Sequence, residues 1–113
     1  DYYNEYFLNN ENIISLKNNY YCAYHIYIIK LNLEKINKTR DDVFKELKEA
    51  KIGVNVHYMP IYLQPYYQNL GYKKGLCPNS ESVYESIITL PCYPLLKKEE
   101  LKYVCEKITE IVK

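Results

Sequence analysis

The sequence has no tryptophan, three glycines and one methionine, and these shortages exclude several classes of function. No apolar run approaches the roughly twenty residues that a membrane-spanning helix requires, so no membrane partner is predicted. The glycines, Gly53, Gly71 and Gly75, do not form a glycine-rich phosphate loop. The first residues are polar and show no secretory pattern, so we expect a cytoplasmic protein.

Metal sites and catalytic thiols also lack their usual sequence signals. The two histidines and four cysteines do not occur as the closely spaced pairs that zinc sites normally show. No feature identifies an activated thiol among Cys22, Cys77, Cys92 and Cys105. We therefore predict no metal site and no cysteine nucleophile, and we expect reduced, partly buried thiols.

The charge balance excludes a second group of partners. The chain has 15 basic and 14 acidic residues, a net charge of +1, and the two signs are interspersed. Neither nucleic acid nor an anionic membrane is therefore indicated. With 113 residues, the chain is long enough for one domain with its own core, and residues 1–113 are predicted to form that single domain.

Residues 53–67 are the most informative stretch. Val54 and Val56 alternate with Asn55 and His57, which is the period of two typical of a half-buried strand. The valines are therefore predicted to pack inward, while His57 faces the other way.

An ordered loop is predicted to follow this strand, because Pro60 and Pro65 interrupt any ladder of hydrogen bonds. The loop is rich in hydrogen-bonding groups carried on large, stiff side chains, which suit a polar ligand with a flat or ring-shaped part. The candidate binding residues are His57, Tyr58, Tyr62 and Gln64. In the alternative interpretation the tyrosines cover a sheet edge and His57 is an ordinary surface histidine.

A second strand is predicted over residues 20–31. Both of its alternating sets are largely apolar, as expected for a central strand packed on both faces. His25 is accordingly predicted to lie inside, with a structural hydrogen bond.

Two helices are indicated by periodicity. Thr39 is positioned to cap a helix over residues 40–50, which Gly53 is predicted to end. In residues 101–112 apolar side chains recur every three or four residues, with charged side chains between them. This last helix is predicted to pack flat on a sheet.

A shorter helix is predicted after a loop that contains Gly71 and Gly75. Asn79 or Ser80 can cap it, and Val83 and Ile87 form an i, i+4 pair within it. Residues 89–90 then form a brief extended run. Together these elements predict an α+β fold with a small, mainly antiparallel sheet and helices packed on one face.

Several motifs occur in the order found in a known enzyme family. The motifs are His57-Tyr58-x-Pro60-x-Tyr62-x-Gln64-Pro65-Tyr66-Tyr67, Ala23-Tyr24-His25-Ile26-Tyr27, Arg40-Asp41-Asp42, Ile52-Gly53-Val54 and Leu90-Pro91. Nearly the whole chain thereby resembles the small C-terminal domain of the DegT/DnrJ/EryC1/StrS family of pyridoxal-phosphate-dependent sugar aminotransferases. Tyr62 departs from the pattern, since many members have a second histidine there.

The resemblance implies the C-terminal domain, or a remnant, of a fold-type I aminotransferase that makes amino-deoxy sugars for surface glycans. The nearest subgroup acts on nucleotide-linked 4-keto-6-deoxy-hexosamines, with an amino acid such as glutamate as donor. In that family the catalytic lysine and the pyridoxal-phosphate site belong to a large domain, which this chain lacks. The chain alone is therefore expected to bind no cofactor and to be inactive.

The resemblance also implies partners and a role for the loop. The partners are the large domain of the same enzyme, a second copy in a homodimer, and the nucleotide sugar in the intact enzyme. His57, Tyr58, Tyr62 and Gln64 would wall the active site without making bonds. The alternative function is a non-catalytic module that dimerises through its bare surface.

Overall fold

The computed structural model describes residues 1–16 and 23–113, which form an α+β fold as predicted. The helices are α1 (Tyr2–Phe7), α2 (Arg40–Glu49), α3 (Pro65–Asn69), α4 (Pro78–Ser86) and α5 (Lys98–Ile111). The strands are β1 (Ile13–Ser15), β2 (Tyr27–Leu31) and β3 (Ile87–Leu90), and a 3₁₀ turn spans Ile61–Leu63.

The sheet is antiparallel, and β2 lies between β1 and β3, which confirms the prediction of a central strand. Ile29 pairs with Ser15 on one side and with Ile88 on the other. Because cross-strand partners share a face, one face collects the alternating residues that include Ile29 and Ile88, and the other collects Ile28 and Thr89.

The first of these faces carries the core. Its buried side chains pack with those of α1, α2 and α5, so three helices cover one side of the sheet. The core includes Phe7 from α1, Leu47 from α2 and Ile108 from α5. This arrangement confirms the predicted packing of helices on one face and the predicted final helix.

The predicted strand over residues 20–31 is shorter in the structure. It begins at Tyr27, and residues 20–22 lie outside the described part. His25 occupies a bend and is exposed, so the prediction of a buried histidine is wrong. The ladder stops because Tyr27 pairs with Leu90, the last residue of β3, and Pro91 has no backbone N–H to extend it.

Helix α2 begins where its local signals predict. The Thr39 hydroxyl accepts a hydrogen bond from the Asp42 backbone, and the Asp42 carboxylate accepts one from the Thr39 backbone. Its end differs from the prediction, since Lys51 rather than Gly53 takes the left-handed conformation, with φ of 60°. The Ile52 N–H then bonds to the Leu47 carbonyl at 3.0 Å, a Schellman ending.

Two local predictions between the proline-rich loop and β3 are wrong. Helix α4 begins at Pro78, ahead of Asn79 and Ser80, because proline is well suited to the first helical position. Ile87 lies outside the helix predicted to contain it: its N–H bonds to the Val83 carbonyl at the end of α4, and its own conformation is extended and opens β3. Among the described residues, no helix combines the length and apolar character needed to cross a membrane.

Candidate functional site

The stretch that contains His57 runs beside β3 but is not a full strand. Asn55 exchanges two backbone hydrogen bonds with Thr89, at 2.8 and 3.1 Å, and forms a single bridge. Val54 is buried in the core, as predicted, whereas Val56 is only half-buried. The alternation therefore places His57 on the sheet face opposite α1, α2 and α5.

A direct contact holds His57 on this face. Its Nδ1 lies 2.9 Å from the hydroxyl oxygen of Thr89, which is itself buried. Within the described part of the chain, the other ring nitrogen, Nε2, has no hydrogen-bond partner. The half-buried imidazole is thus oriented through one nitrogen, while the second stays available to a ligand.

An open groove of about 550 Å³ lies beside His57. One side is formed by residues between 57 and 62, and the other by Asn79, Ser80, Val83 and Tyr84 of α4. Ile87 of β3 completes the lining. The groove therefore joins a stiff sheet edge to a helix, with hydroxyl, amide and ring groups along its walls.

Tyr58 stands at the mouth of the groove. Its ring meets the His57 ring edge-on, with 4.5 Å between centroids, and the side chain is 71% exposed. The peptide bond between the two residues is cis. Tyr58 is therefore positioned to contact a ligand that occupies the groove.

Tyr62 contributes its ring to the groove but uses its hydroxyl elsewhere. The hydroxyl donates to the Glu81 carboxylate at 2.5 Å and accepts from the Cys77 backbone N–H at 3.2 Å. Desolvation and the neighbouring carboxylate raise the pKa of Tyr62 to about 12, so the phenol keeps its proton. The hydrogen bond from Tyr62 lowers the pKa of Glu81.

Gln64 is not brought to the groove. It lies between the 3₁₀ turn and α3, and its side chain is exposed on the outer surface. Its backbone N–H bonds to Ile61, and its carbonyl accepts from Gln68. The structure thus brings together His57, Tyr58 and the ring of Tyr62, but leaves Gln64 outside.

Sequence reasoning missed three residues that shape this site: Thr89, Tyr84 and Glu81. Thr89 reaches His57 only through the register of the Asn55 bridge, which no local pattern encodes. Tyr84 lines the groove, and the Arg40 guanidinium packs over its ring at 5.0 Å. A buried glutamate is unusual, but nothing in the chain around Glu81 signals its burial.

The groove by itself does not fit a pyridoxal-phosphate site. Such a site needs a lysine for covalent attachment, and within the described residues no lysine lines the groove. Residues 1–16 and 23–113 also contain no cluster of His, Cys, Asp or Glu that could hold a metal ion. What the groove offers is hydrogen bonding and ring contacts to a polar ligand.

Comparison with known proteins places these observations in a family context. The sequence model of the DegT/DnrJ/EryC1/StrS aminotransferase family matches residues 1–109. Among related sequences, the uncharacterised protein MJ1066 of Methanocaldococcus jannaschii is 38% identical over 113 residues, covering 97% of this chain and 29% of its own length. The spore coat polysaccharide biosynthesis protein SpsC of Bacillus subtilis is 36% identical over 93 residues, covering 80% and 24%.

Solved structures give the same fold. Spr1654 from Streptococcus pneumoniae, assigned as a sugar aminotransferase and solved in its PMP form, matches with a TM-score of 0.86 and 30% identity, covering 99% of this chain and 28% of that one. Helicobacter pylori PseC, an aminotransferase involved in pseudoaminic acid biosynthesis, matches with a TM-score of 0.84 and 24% identity. The match covers 98% of this chain and 30% of PseC. PseC therefore supports the fold alone. The chain spans between 24% and 30% of the length of these four proteins.

Proposed function

Because the chain belongs to the DegT/DnrJ/EryC1/StrS aminotransferase family, we propose that it is the small C-terminal domain of a pyridoxal-phosphate-dependent nucleotide-sugar aminotransferase. The similarity to SpsC and to Spr1654 supports a role in sugar biosynthesis. The small share of each relative that the chain spans supports a domain that works with a larger one. The same proposal includes a cytoplasmic location and a homodimeric enzyme.

The observation that carries this proposal is the placement of His57. Thr89 fixes its imidazole on the sheet face opposite α1, α2 and α5, beside an open groove. An imidazole N–H on such a wall can donate to a sugar or phosphate oxygen, and Tyr58 can add a hydroxyl and a ring. The ring of Tyr62 would form part of the wall, and Gln64 could reach the substrate only from the rim.

The division of labour in the intact enzyme follows from what the groove lacks. When bound to the large domain, the cofactor carries the amino group from donor to acceptor. The residues described above would bind and orient the sugar nucleotide. They would contribute to catalysis by positioning, because none of the described residues that line the groove is suited to attach the cofactor.

The alternative, a non-catalytic dimerising module, is favoured by one observation. Large apolar side chains stand exposed between residues 58 and 76, among them Ile61 at 65%, Tyr66 at 68% and Leu70 at 61%. Exposed apolar surface of this kind favours association. The aminotransferase domain explains the same surface through contact with a large domain, and it also explains the His57 groove.

Kinetics of the complete enzyme test the proposal. We expect His57→Ala to lower kcat/KM for a nucleotide-linked 4-keto-6-deoxy-hexosamine by about tenfold or more, as for loss of a hydrogen bond to a charged or strongly polar group. The half-reaction with L-glutamate should be unchanged. His25→Ala is the matched control, because His25 is exposed and does not line the groove.

Two results would overturn parts of this proposal. Equal kinetics for His57→Ala and the unchanged enzyme would remove the substrate-binding role and favour the dimerising module. Absence of any turnover of the acceptor by the unchanged enzyme would remove the proposed substrate class.

A further inference from the structure

Residues 60–77 extend from the domain with little packing of their own. Neither the 3₁₀ turn nor α3 contains a buried residue, and α3 packs mainly against the 3₁₀ turn. A helix of five residues is marginal in water, because helix nucleation is costly. The position of this extension must therefore be fixed by contacts elsewhere.

Glu81 supplies such contacts from the first turn of α4. Its side chain is buried, and one carboxylate oxygen, Oε1, accepts from the Tyr62 hydroxyl at 2.5 Å and from the Gly75 backbone N–H at 2.7 Å. The Cys77 N–H donates to the same tyrosine hydroxyl. A single carboxylate thus ties both ends of the extension to one helix.

The hydrogen bonds of Glu81 lie directly behind the groove. Tyr62 lines the groove, and so does Ser80, the residue before Glu81, but Glu81 does not. Hydrogen bonds to a charged acceptor are stronger than neutral ones, and a buried carboxylate that loses its donors is costly to keep. The extension cannot shift without breaking these bonds and moving the Tyr62 ring within the groove.

We propose that Glu81 is a positioning residue for nucleotide-sugar binding, which acts through Tyr62 and Gly75 to hold one wall of the groove in place. This inference rests on the proposed function, since it assumes that the groove receives the sugar nucleotide. It assigns to Tyr62 a structural task for its hydroxyl and leaves only its ring to face the ligand.

Substitutions in the complete enzyme test the inference, with the nucleotide-linked ketosugar as acceptor and L-glutamate as donor. We expect Glu81→Ala to raise KM for the acceptor by about tenfold, the effect of losing a hydrogen bond to a charged group, while the donor half-reaction stays unchanged. Glu81→Gln should behave much like the unchanged enzyme, because an amide oxygen can accept the same two hydrogen bonds. If Glu81 instead bound the substrate through its negative charge, Glu81→Gln would raise KM as Glu81→Ala does.

Two further variants keep the test decisive. Tyr62→Phe retains the ring and removes only the hydroxyl, so it should raise KM in the same way even if Glu81→Ala fails to fold. Glu106→Ala, on the exposed side of α5, is the matched control and should change nothing.

The outcomes separate this inference from the proposed function. If His57→Ala impairs the acceptor reaction but Glu81→Ala and Tyr62→Phe leave KM unchanged, the positioning role is wrong and the proposed function stands. Equal damage from Glu81→Gln and Glu81→Ala would likewise overturn the positioning role. If His57→Ala has no effect, the proposed function fails and takes this inference with it.

Discussion

His57 and Thr89 form the contact on which the site depends most. When the Thr89 hydroxyl donates to Nδ1, the imidazole proton resides on Nε2, the nitrogen without a partner in the described chain. The ring then presents a donor to the groove at a fixed angle. A surface histidine that lacked this contact would sample several rotamers and would bind a ligand less well.

The reactivities of individual cysteines test the packing of the core. Cys105 is fully buried, and burial raises the pKa of its thiol to about 12, whereas Cys77 is exposed. Because the thiolate is the reactive form, we expect iodoacetamide at about pH 8 to alkylate Cys77 and to spare Cys105.

Mass spectrometry of the folded protein, with denatured protein as the control, measures the two rates. Both cysteines should react once the chain is unfolded. Alkylation of Cys105 in the folded protein as fast as that of Cys77 would show that α5 does not pack as described.

At the scale of elements, α2 and α5 could be predicted because their signals are local. The Thr39 and Asp42 pair lies within four residues, and the apolar stripe of α5 repeats along one helix. The end of α2 could not be predicted in this way, because Lys51 adopts a left-handed conformation that glycine usually takes. Buried Ile52 anchors that ending, and its burial depends on the rest of the fold.

The α2 cap carries a prediction of its own. Thr39→Ala should lower the free energy of unfolding by about 1 kcal/mol near neutral pH, the usual effect of losing an N-cap. The Thr39 hydrogen bonds lower the pKa of Asp42 below its ordinary value. A lowered pKa stabilises the fold above the ordinary aspartate pKa, and this contribution disappears as the pH falls through the folded value.

The difference in unfolding free energy between the unchanged protein and Thr39→Ala should therefore narrow as the pH falls below the ordinary aspartate pKa of about 4. Urea unfolding followed by circular dichroism measures it. Glu34→Gln is the control, because Glu34 is an exposed carboxylate outside α2. A constant difference as the pH falls would contradict the described cap.

At the scale of the whole molecule, the sequence predicts the fold class better than the site. Alternation and helical periodicity identify which side chains turn inward, and one sheet covered on one face is the simplest way to bury them. The site depends on pairings that local patterns do not encode. Glu81 and Tyr62 are 19 residues apart in the sequence, and Thr89 and His57 are 32 apart. Both contacts depend on where β3 and α4 lie in the fold.

The difference between local patterns and long-range pairings also explains why the prediction of a buried His25 is wrong. Its neighbours are apolar enough for a strand, but a strand needs partners, and β3 ends at the proline that follows Leu90. His57 is placed on the predicted side even though its predicted strand is reduced to one bridge. Alternation survives there because Val54 is anchored in the core.

We propose above that the sheet face opposite α1, α2 and α5, with His57 on it, forms one wall of a substrate cleft in a larger enzyme. Substrate protection of the histidines tests this most directly. The complete enzyme is treated with diethylpyrocarbonate, with and without the nucleotide-linked ketosugar, and modification is measured by mass spectrometry. We expect the ketosugar to slow modification of His57 and to leave exposed His25 unaffected; equal modification of His57 in both samples would show that the groove does not receive the ketosugar.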